Sequence, residues 1–564
     1  MVHKIVKAER VIFWILFICI SILVVYPLGN LLLGSFSART GGLTLEHWST
    51  AFETRLLWVS IRNTLLTSMA ATCLAVFIGI SLVIIITRTD APFRNLLKLI
   101  TLVPFITPPM VGGVAWGMLA DPSGGVLNIL VQKIGFAYKL NIYSWGGMIW
   151  VMGLYTAPIV YFICASGLAG IDTSNEESAR ICGAGRFRIL FEITLPLLLP
   201  SIASAGLLVF MTNNVLFGVH SVIGIPANIP VMTTTIYSVL GFIPINYYHA
   251  AVLSLMLLAL GAAATIANQF VVGKRSYYTV SGKGFRPMIA IKLGAWRWIV
   301  GTLAITYIFI TVILPYGVIL LRSFSSLALW QGGSLKQMLS DVSLQGYVYI
   351  LIENSTAKRA IFNSLFLGTA SAIGSTFLAF MVAYFHVKKG GKAENILEFI
   401  TMTPLAVPGI VFGVALLWAY SSPPLILYGT LTILLLGYLS HQLPTAYRAC
   451  YGNLKGIHPE LEESAKVCGA GWFYRTREIT LQLARPGIMV AVLLVFITVL
   501  RELGTSVILF SYGTEVMASM MFNFWEEGLM QHVSSLAMLN VIIVIAVLWI
   551  MNKLMREPFD RMAG

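Results

Sequence analysis

Charge is scarce in this sequence: only 11% of its 564 residues are Asp, Glu, Lys or Arg, against 58% apolar residues and a mean hydropathy of +0.85. No water-soluble globule can hide that much apolar surface. The few charges are also grouped. None falls between Arg10 and Arg39, between Arg62 and Arg88, between Lys98 and Asp121, or between Lys139 and Asp172. The gaps from Glu192 to Lys274 and from Glu398 to Arg448 are long enough for two spans each. Cysteine is sparse as well. Cys19, Cys73, Cys164, Cys182, Cys450 and Cys468 avoid every expected outer loop and show no metal-ligand spacing, so neither a disulfide framework nor a metal site is expected. They read as small apolar packing residues. A Gly-x-x-x-x-Gly-Lys-Ser/Thr phosphate loop is absent, which excludes this way of cradling ATP within the chain. No His-rich cluster or paired intramembrane carboxylate supports a membrane-embedded enzyme, and no catalytic residue is expected.

What is present is apolar length. A membrane helix needs roughly 20 apolar residues to cross about 30 Å of hydrocarbon, and only a helix satisfies its own backbone hydrogen bonds there. Twelve segments qualify, near 11–34, 60–88, 98–120, 146–168, 198–221, 248–272, 298–321, 362–386, 398–420, 425–446, 487–510 and 534–553. The first has basic residues before it, like a signal peptide, but its apolar run is too long and lacks a small-x-small cleavage site before Ser35, so it is expected to remain as an anchor. With the N-terminus inside, 27 Lys and Arg fall on the cytoplasmic side and nine outside, with Arg501 inside a span. The positive-inside rule favours that orientation, with both termini cytoplasmic. The net charge of +14 then reflects anionic lipid head groups, and nucleic acid is not an expected partner.

The spans repeat. Ser35-Phe36-Ser37 recurs as Ser323-Phe324-Ser325, Asn63-Thr64-Leu65 as Asn363-Ser364-Leu365, and Pro104 with Pro108 as Pro404 with Pro408. The chain therefore reads as an all-α polytopic protein of two six-helix units, residues 1–285 and 286–564, joined between Lys274 and Arg297. Six is even, so the repeats are parallel and related by an axis along the membrane normal, a transporter arrangement.

The repeat is clearest in one loop. Glu176-Glu177-Ser178-Ala179-Arg180-Ile181-Cys182-Gly183-Ala184-Gly185 returns as Glu462-Glu463-Ser464-Ala465-Lys466-Val467-Cys468-Gly469-Ala470-Gly471. Ser174 with Glu177 suggests a capping box, Pro459 suits a first helical turn, and Gly-Ala-Gly supplies a stop. A short helix with small residues on one face can lie in a groove of another protein. Helix capping alone accounts for either loop but not for retention of both.

This pattern resembles the Glu-Ala-Ala-three residues-Gly loop of ABC-importer permeases, followed there by Ile-x-Leu-Pro and here by Ile193-Thr194-Leu195-Pro196 and Ile479-Thr480-Leu481-Gln482. The resemblance implies the type I importer permease architecture and a coupling helix seated in a cytoplasmic ATPase. Glu177, Ala179 and Gly183 would make that contact in the first copy, and Glu463, Ala465 and Gly469 in the second. Ser178 and Ser464 replace the middle Ala, and Gln482 stands where Pro196 would recur. Pro404-Leu405-Ala406-Val407-Pro408-Gly409, Phe217-Gly218-Val219 and Arg501-Glu502-Leu503-Gly504 look like the fused permeases of ferric-iron importers; relatives of that kind also serve thiamine, phosphonates and sugar phosphates. The family implies two copies of a separate ATPase carrying ATP and Mg, a periplasmic or lipid-anchored solute-binding protein, and a bacterial inner membrane. This chain itself would bind no cofactor.

Arg501 and Glu502 are the only adjacent charged pair within an apolar run, and ionisable groups at membrane depth are functional candidates by default. With Asn213 and Asn214 in the first copy, they are the candidate translocation-path residues; local pairing of Arg501 with Glu502 is the alternative. His441 reads as a packed interhelical hydrogen-bonder. A twelve-span secondary transporter is the rival reading, with Glu502 as its only plausible coupling acid.

Overall fold

A computed structural model describes residues 2–38, 42–135, 139–171, 174–241, 245–273, 292–325 and 342–562. Among these residues there is no β-strand, and Ser37 and Leu43 form an isolated bridge. Eight helices are each long and apolar enough to cross a membrane: Glu9–Phe36, Arg55–Arg88, Trp145–Ala169, Phe187–Val215, Trp296–Phe324, Ser355–Lys389, Trp472–Leu500 and Met530–Met551. Two bent pairs, Arg94–Ile106 with Pro109–Ala120 and Lys392–Ala406 with Gly409–Tyr420, raise the number to ten if each is one span. Helices Tyr247–Gly273 and Leu431–Lys455 occupy the remaining two expected positions. In Leu431–Lys455 the polar His441, Gln442 and Arg448 lower the apolar signal.

The bends follow from proline. The residue before a proline is pushed out of the α region, and Thr107 and Val407, preceding Pro108 and Pro408, are both extended. The two pairs turn by 102° and 113°.

The fifth and eleventh expected spans need a correction. Helix Leu195–Val215 stops before Leu216 and helix Leu481–Leu500 before Arg501, short of the expected ends at 221 and 510. Leu216 turns to extended backbone, and buried short helices follow at Phe217–Val219 and Ser506–Leu509. At the first break hydropathy continues unchanged, and at the second only the Arg501-Glu502 pair interrupts it, so a long apolar window merges each helix with the buried turn after it. Arg501 thus lies at a helix end and not within a continuous span.

Packing divides the chain into two compact units. One holds residues 54–235 and 259–344, the other 1–53, 236–258 and 345–564. In the first, helices Arg55–Val83, Trp145–Ala169 and Leu195–Val215 share a core of Ala75, Val83, Val160, Cys164, Leu198 and Val209. Helix Trp296–Ile308 adds Ala304 and Ile308 to it. At Gly79 an added Cβ would sit 2.5 Å from Val160, so that residue lets two helices approach closely, as small residues do in lipid. In the second unit, Ser355–Lys389, Leu431–Lys455 and Leu481–Leu500 pack in the same way. The first helix, Val2–Phe36, rests there on Gly409–Tyr420, and the Ser440 hydroxyl donates to the Leu23 carbonyl at 3.0 Å. Packing and sequence repetition therefore partition the chain differently: the chain's first helix joins the second repeat's core, and the helix after the junction joins the first's. The 285/286 boundary between repeats lies outside the described residues.

Candidate functional site: the two equivalent loops

In the first unit, helix Ser174–Ile181 carries Glu176 and Glu177 in its first turn, where acids complement the helix dipole. The Ser174 side chain is outside the described set. The helix ends in a six-to-one bond, Ala184 N–H to the Ala179 carbonyl at 2.9 Å, with Gly183 at φ 83°. That closure needs a left-handed residue, which glycine supplies without a Cβ penalty. In the second unit, helix Glu460–Val467 follows Pro459, which stands at its cap, and ends identically: Ala470 N–H to Ala465 at 2.9 Å, Gly469 at φ 85°. Each chain segment then runs through a short helix into a five-residue π-turn, Leu190–Thr194 or Thr476–Thr480, which opens the long helix.

The two glutamates of each doublet do different things. Glu176 is buried and receives both Arg88 terminal nitrogens, at 2.9 and 2.8 Å, plus the Thr194 hydroxyl at 2.8 Å. Glu462 is buried too, 3.3 Å from Lys388 Nζ and hydrogen-bonded by the Thr480 hydroxyl. Their neighbours point elsewhere: Glu463 is exposed and Glu177 half-buried. Ala179 and Ala465 are half-buried, Gly183 and Gly469 exposed. Sequence reasoning passed over Glu176, Glu462 and their partners; the doublet itself, the repeated Ile-Thr-Leu and a basic residue at the inner end of the second and eighth spans were the available signals.

A second missed feature is apolar. Ile181 and Val467 are 87% and 88% exposed at equivalent positions, and Phe187 and Phe473 are 78% and 68% exposed just beyond. Phe187 and Phe473 belong to the helices counted as spans, where lipid covers apolar side chains, whereas Ile181 and Val467 sit on loops rich in charge and are the candidate interaction residues.

At the far end of the spans another device repeats. Asn63 Nδ2 donates to the Pro230 carbonyl at 2.9 Å and the Met232 N–H donates to Thr64 Oγ1 at 2.9 Å. In the other unit Asn363 Nδ2 donates to the Glu515 carbonyl at 2.9 Å and the Met517 N–H to Ser364 Oγ at 2.7 Å. The repeated Asn-Thr/Ser thus pins the backbone that opens helices Met232–Gly241 and Met517–Glu526. The second copy adds an ion pair, Arg359 to Glu515 at 3.0 and 3.1 Å. Burial alone would raise the Glu515 carboxyl; Arg359 and the Gly513 N–H outweigh it and hold it below its ordinary range.

Of the four path candidates, Asn213 and Asn214 are buried at the end of helix Leu195–Val215. Asn213 Nδ2 donates to Thr72 Oγ1 at 3.3 Å, Asn214 Nδ2 to the Phe210 carbonyl at 2.9 Å, and both amide oxygens lack a hydrogen-bond partner. Arg501 and Glu502 are half-buried. Glu502 caps the next short helix, accepting the Thr505 N–H at 2.9 Å and its hydroxyl at 3.2 Å. His441 Nε2 donates to the Val407 carbonyl at 3.2 Å, an interhelical bond of the expected kind. Among the described residues no group of three or more His, Cys, Asp or Glu is arranged to hold a metal ion.

Against known proteins, a family model described as binding-protein-dependent transport system inner membrane component matches residues 71–277 and 375–557. The ferric transport system permease protein FbpB of Actinobacillus pleuropneumoniae is 26% identical over 83% of this chain and 67% of its own length. The Fe(3+)-transport system permease protein FbpB 2 of Haemophilus influenzae is 23% identical over 80% of this chain and 81% of its own. Among solved structures, a chain of a bacterial ABC transporter involved in the import of the acidic polysaccharide alginate shares 20% identity, with a TM-score of 0.40 over 49% of this chain and 99% of that one.

Proposed function

The chain belongs to the inner membrane components of binding-protein-dependent transport systems, and on that basis we propose that it moves ferric iron into the bacterial cytoplasm, driven by two copies of a separate ABC ATPase. One observation carries the ATPase part: two equivalent loops each present an exposed apolar residue, Ile181 or Val467, on the same short helix as the second glutamate of the doublet, Glu177 or Glu463. Two like faces fit two copies of one partner. With no phosphate loop in the sequence, we assign nucleotide chemistry, with its Mg, to that partner. A binding protein, periplasmic or lipid-anchored, would deliver the solute to the outer side, with both termini of this chain inside.

Transport then proceeds by alternating access. Closure of the ATPase pair draws the two loops together, the helices they lead into tilt, and the path opens outward; hydrolysis resets it. No covalent chemistry falls to this chain. Asn213, Asn214, Arg501 and Glu502 are proposed as path residues because they sit where two long helices break off at buried turns. Oxygen acceptors without partners, as on both asparagines, suit a solute that brings its own donors, such as a hydrated cation. Ferric iron is preferred over thiamine, phosphonate or sugar phosphate because the ferric relatives match over most of this chain.

The test is co-purification followed by uptake. A tagged chain is expected to retain an ATPase subunit, and vesicles should take up radiolabelled ferric iron only with ATP and binding protein. Uptake that survives ATP depletion would favour a secondary transporter instead. Replacing Glu177 and Glu463 by Ala should lower the ATPase stimulation caused by loaded binding protein while membrane insertion is kept.

A further inference from the structure

Glu176 and Glu462 do not face a partner, yet each ties together three separate elements. The carboxylate of Glu176 sits on the loop helix, its cation Arg88 ends the π-turn closing helix Arg55–Arg88, and its third donor, Thr194, ends the π-turn that opens helix Leu195–Val215. Arg88 and Glu176 side chains are only 3% and 10% exposed, so water does not compete for these bonds. The second copy rebuilds the arrangement with different chemistry: Lys388 near the end of helix Ser355–Lys389, Glu462 on the loop helix, and Thr480 ending the π-turn. A π-turn places one extra residue in the helical ladder, and its recurrence at Thr194 and Thr480 brings the same hydroxyl to the same carboxylate.

We propose that Glu176 and Glu462 are positioning residues that transmit movement of the docking helices into two spans each, while the adjacent Glu177 and Glu463 face the partner. The proposal rests on the docking role of these loops. A loop helix pushed by a partner has to carry both anchored spans with it or separate a buried ion pair, and separation leaves a charge stranded out of water. The clamp therefore converts a push on a surface helix into rotation of the span behind it. Glu177 and Glu463 take no part in these bonds, and Glu463 is exposed, so the contact surface falls to them. The two clamps differ in grip: a planar guanidinium holds Glu176 by two hydrogen bonds, whereas an ammonium stands 3.3 Å from one Glu462 oxygen as an ion pair. The first loop is accordingly the stiffer transmitter.

The experiment uses the whole complex, chain with ATPase subunits and binding protein, in lipid vesicles, and reads ferric iron transported per ATP hydrolysed. Glu176→Gln with Glu462→Gln keeps shape and one hydrogen bond but removes the ion pairs. The ATPase should still co-purify and hydrolyse ATP, with solute moved per ATP down about tenfold, the scale of coupling between residues in direct contact. Arg88→Lys rebuilds the second copy's own pair in the first and should keep transport per ATP within about threefold of the parent. Wild-type transport per ATP in the double glutamine variant would overturn the clamp. So would loss of the ATPase from that variant, which would make Glu176 and Glu462 part of the contact face. A second readout needs no partner: a nitroxide at Cys182, the other cysteines replaced, should move faster in the chain alone once Glu176→Gln is introduced. Unchanged mobility would refute the clamp even if the docking reading stood, and an ATPase that never binds the parent would refute docking while the nitroxide still tested the clamp.

Discussion

At the residue scale, Arg359 and Glu515 show how costly charge is handled near the membrane. The Glu515 side chain is 5% exposed, and Asn363 and the Gly513 N–H complete its surroundings. Arg359→Met should cost on the order of 3 kcal/mol by stranding the carboxylate, and Glu515→Gln should relieve much of that in the double variant. The pH dependence has a definite sign. A carboxyl held below its unfolded value contributes stability that is present above the unfolded pKa and is lost as pH falls through the folded one. The melting-temperature gap between the parent and Glu515→Gln should therefore shrink as pH drops from about 7 to about 3. Ile181 and Val467 carry the opposite expectation. Being almost fully exposed, Ile181→Asp and Val467→Asp should change stability by no more than about 0.5 kcal/mol while abolishing retention of the ATPase. A matching fall in melting temperature would show that these side chains pack within the chain. Which glutamate of each doublet would be buried was not readable from spacing. Arg88 lies 88 positions from Glu176 in sequence, and only the fold brings that cation to the loop.

At the element scale, the loops were legible because local chemistry specifies them. Glycine is what a left-handed helix stop demands, and it stands at Gly183 and Gly469 in both copies. Gly183→Val is expected to cost about 1–2 kcal/mol of local backbone strain. It should also weaken ATPase retention by misdirecting Ile181; a variant with normal retention would make the glycine stop dispensable for docking. Proline likewise accounts for the breaks in the third and ninth spans, though not for turns of 102° and 113°, because proline removes a bond and leaves the new direction to packing. The ends of the fifth and eleventh spans were not legible. After the fifth span Phe217–Val219 continues the apolar run with no charge at the break; after the eleventh the Arg501-Glu502 pair stands at the break, but two charges inside a long apolar run read equally as a buried pair within a span.

At the scale of the whole molecule, a repeat in sequence is not a partition in space. The twin Asn-Thr/Ser and Glu-Glu motifs revealed duplication, and each is now explained by a hydrogen-bond arrangement built twice. Which core the first helix and helix Trp296–Ile308 would join could not be read from duplication, because equivalent helices fit either core about equally by pattern. The central claim is that both loops meet the same kind of partner on one side of the membrane. Cys182 and Cys468 are exposed on those loops and give the most direct test. In single-cysteine chains, a membrane-impermeant thiol reagent should label both from the cytoplasmic face alone, and bound ATPase should protect both. Labelling of the two from opposite faces, or equal labelling with and without the ATPase, would contradict the account.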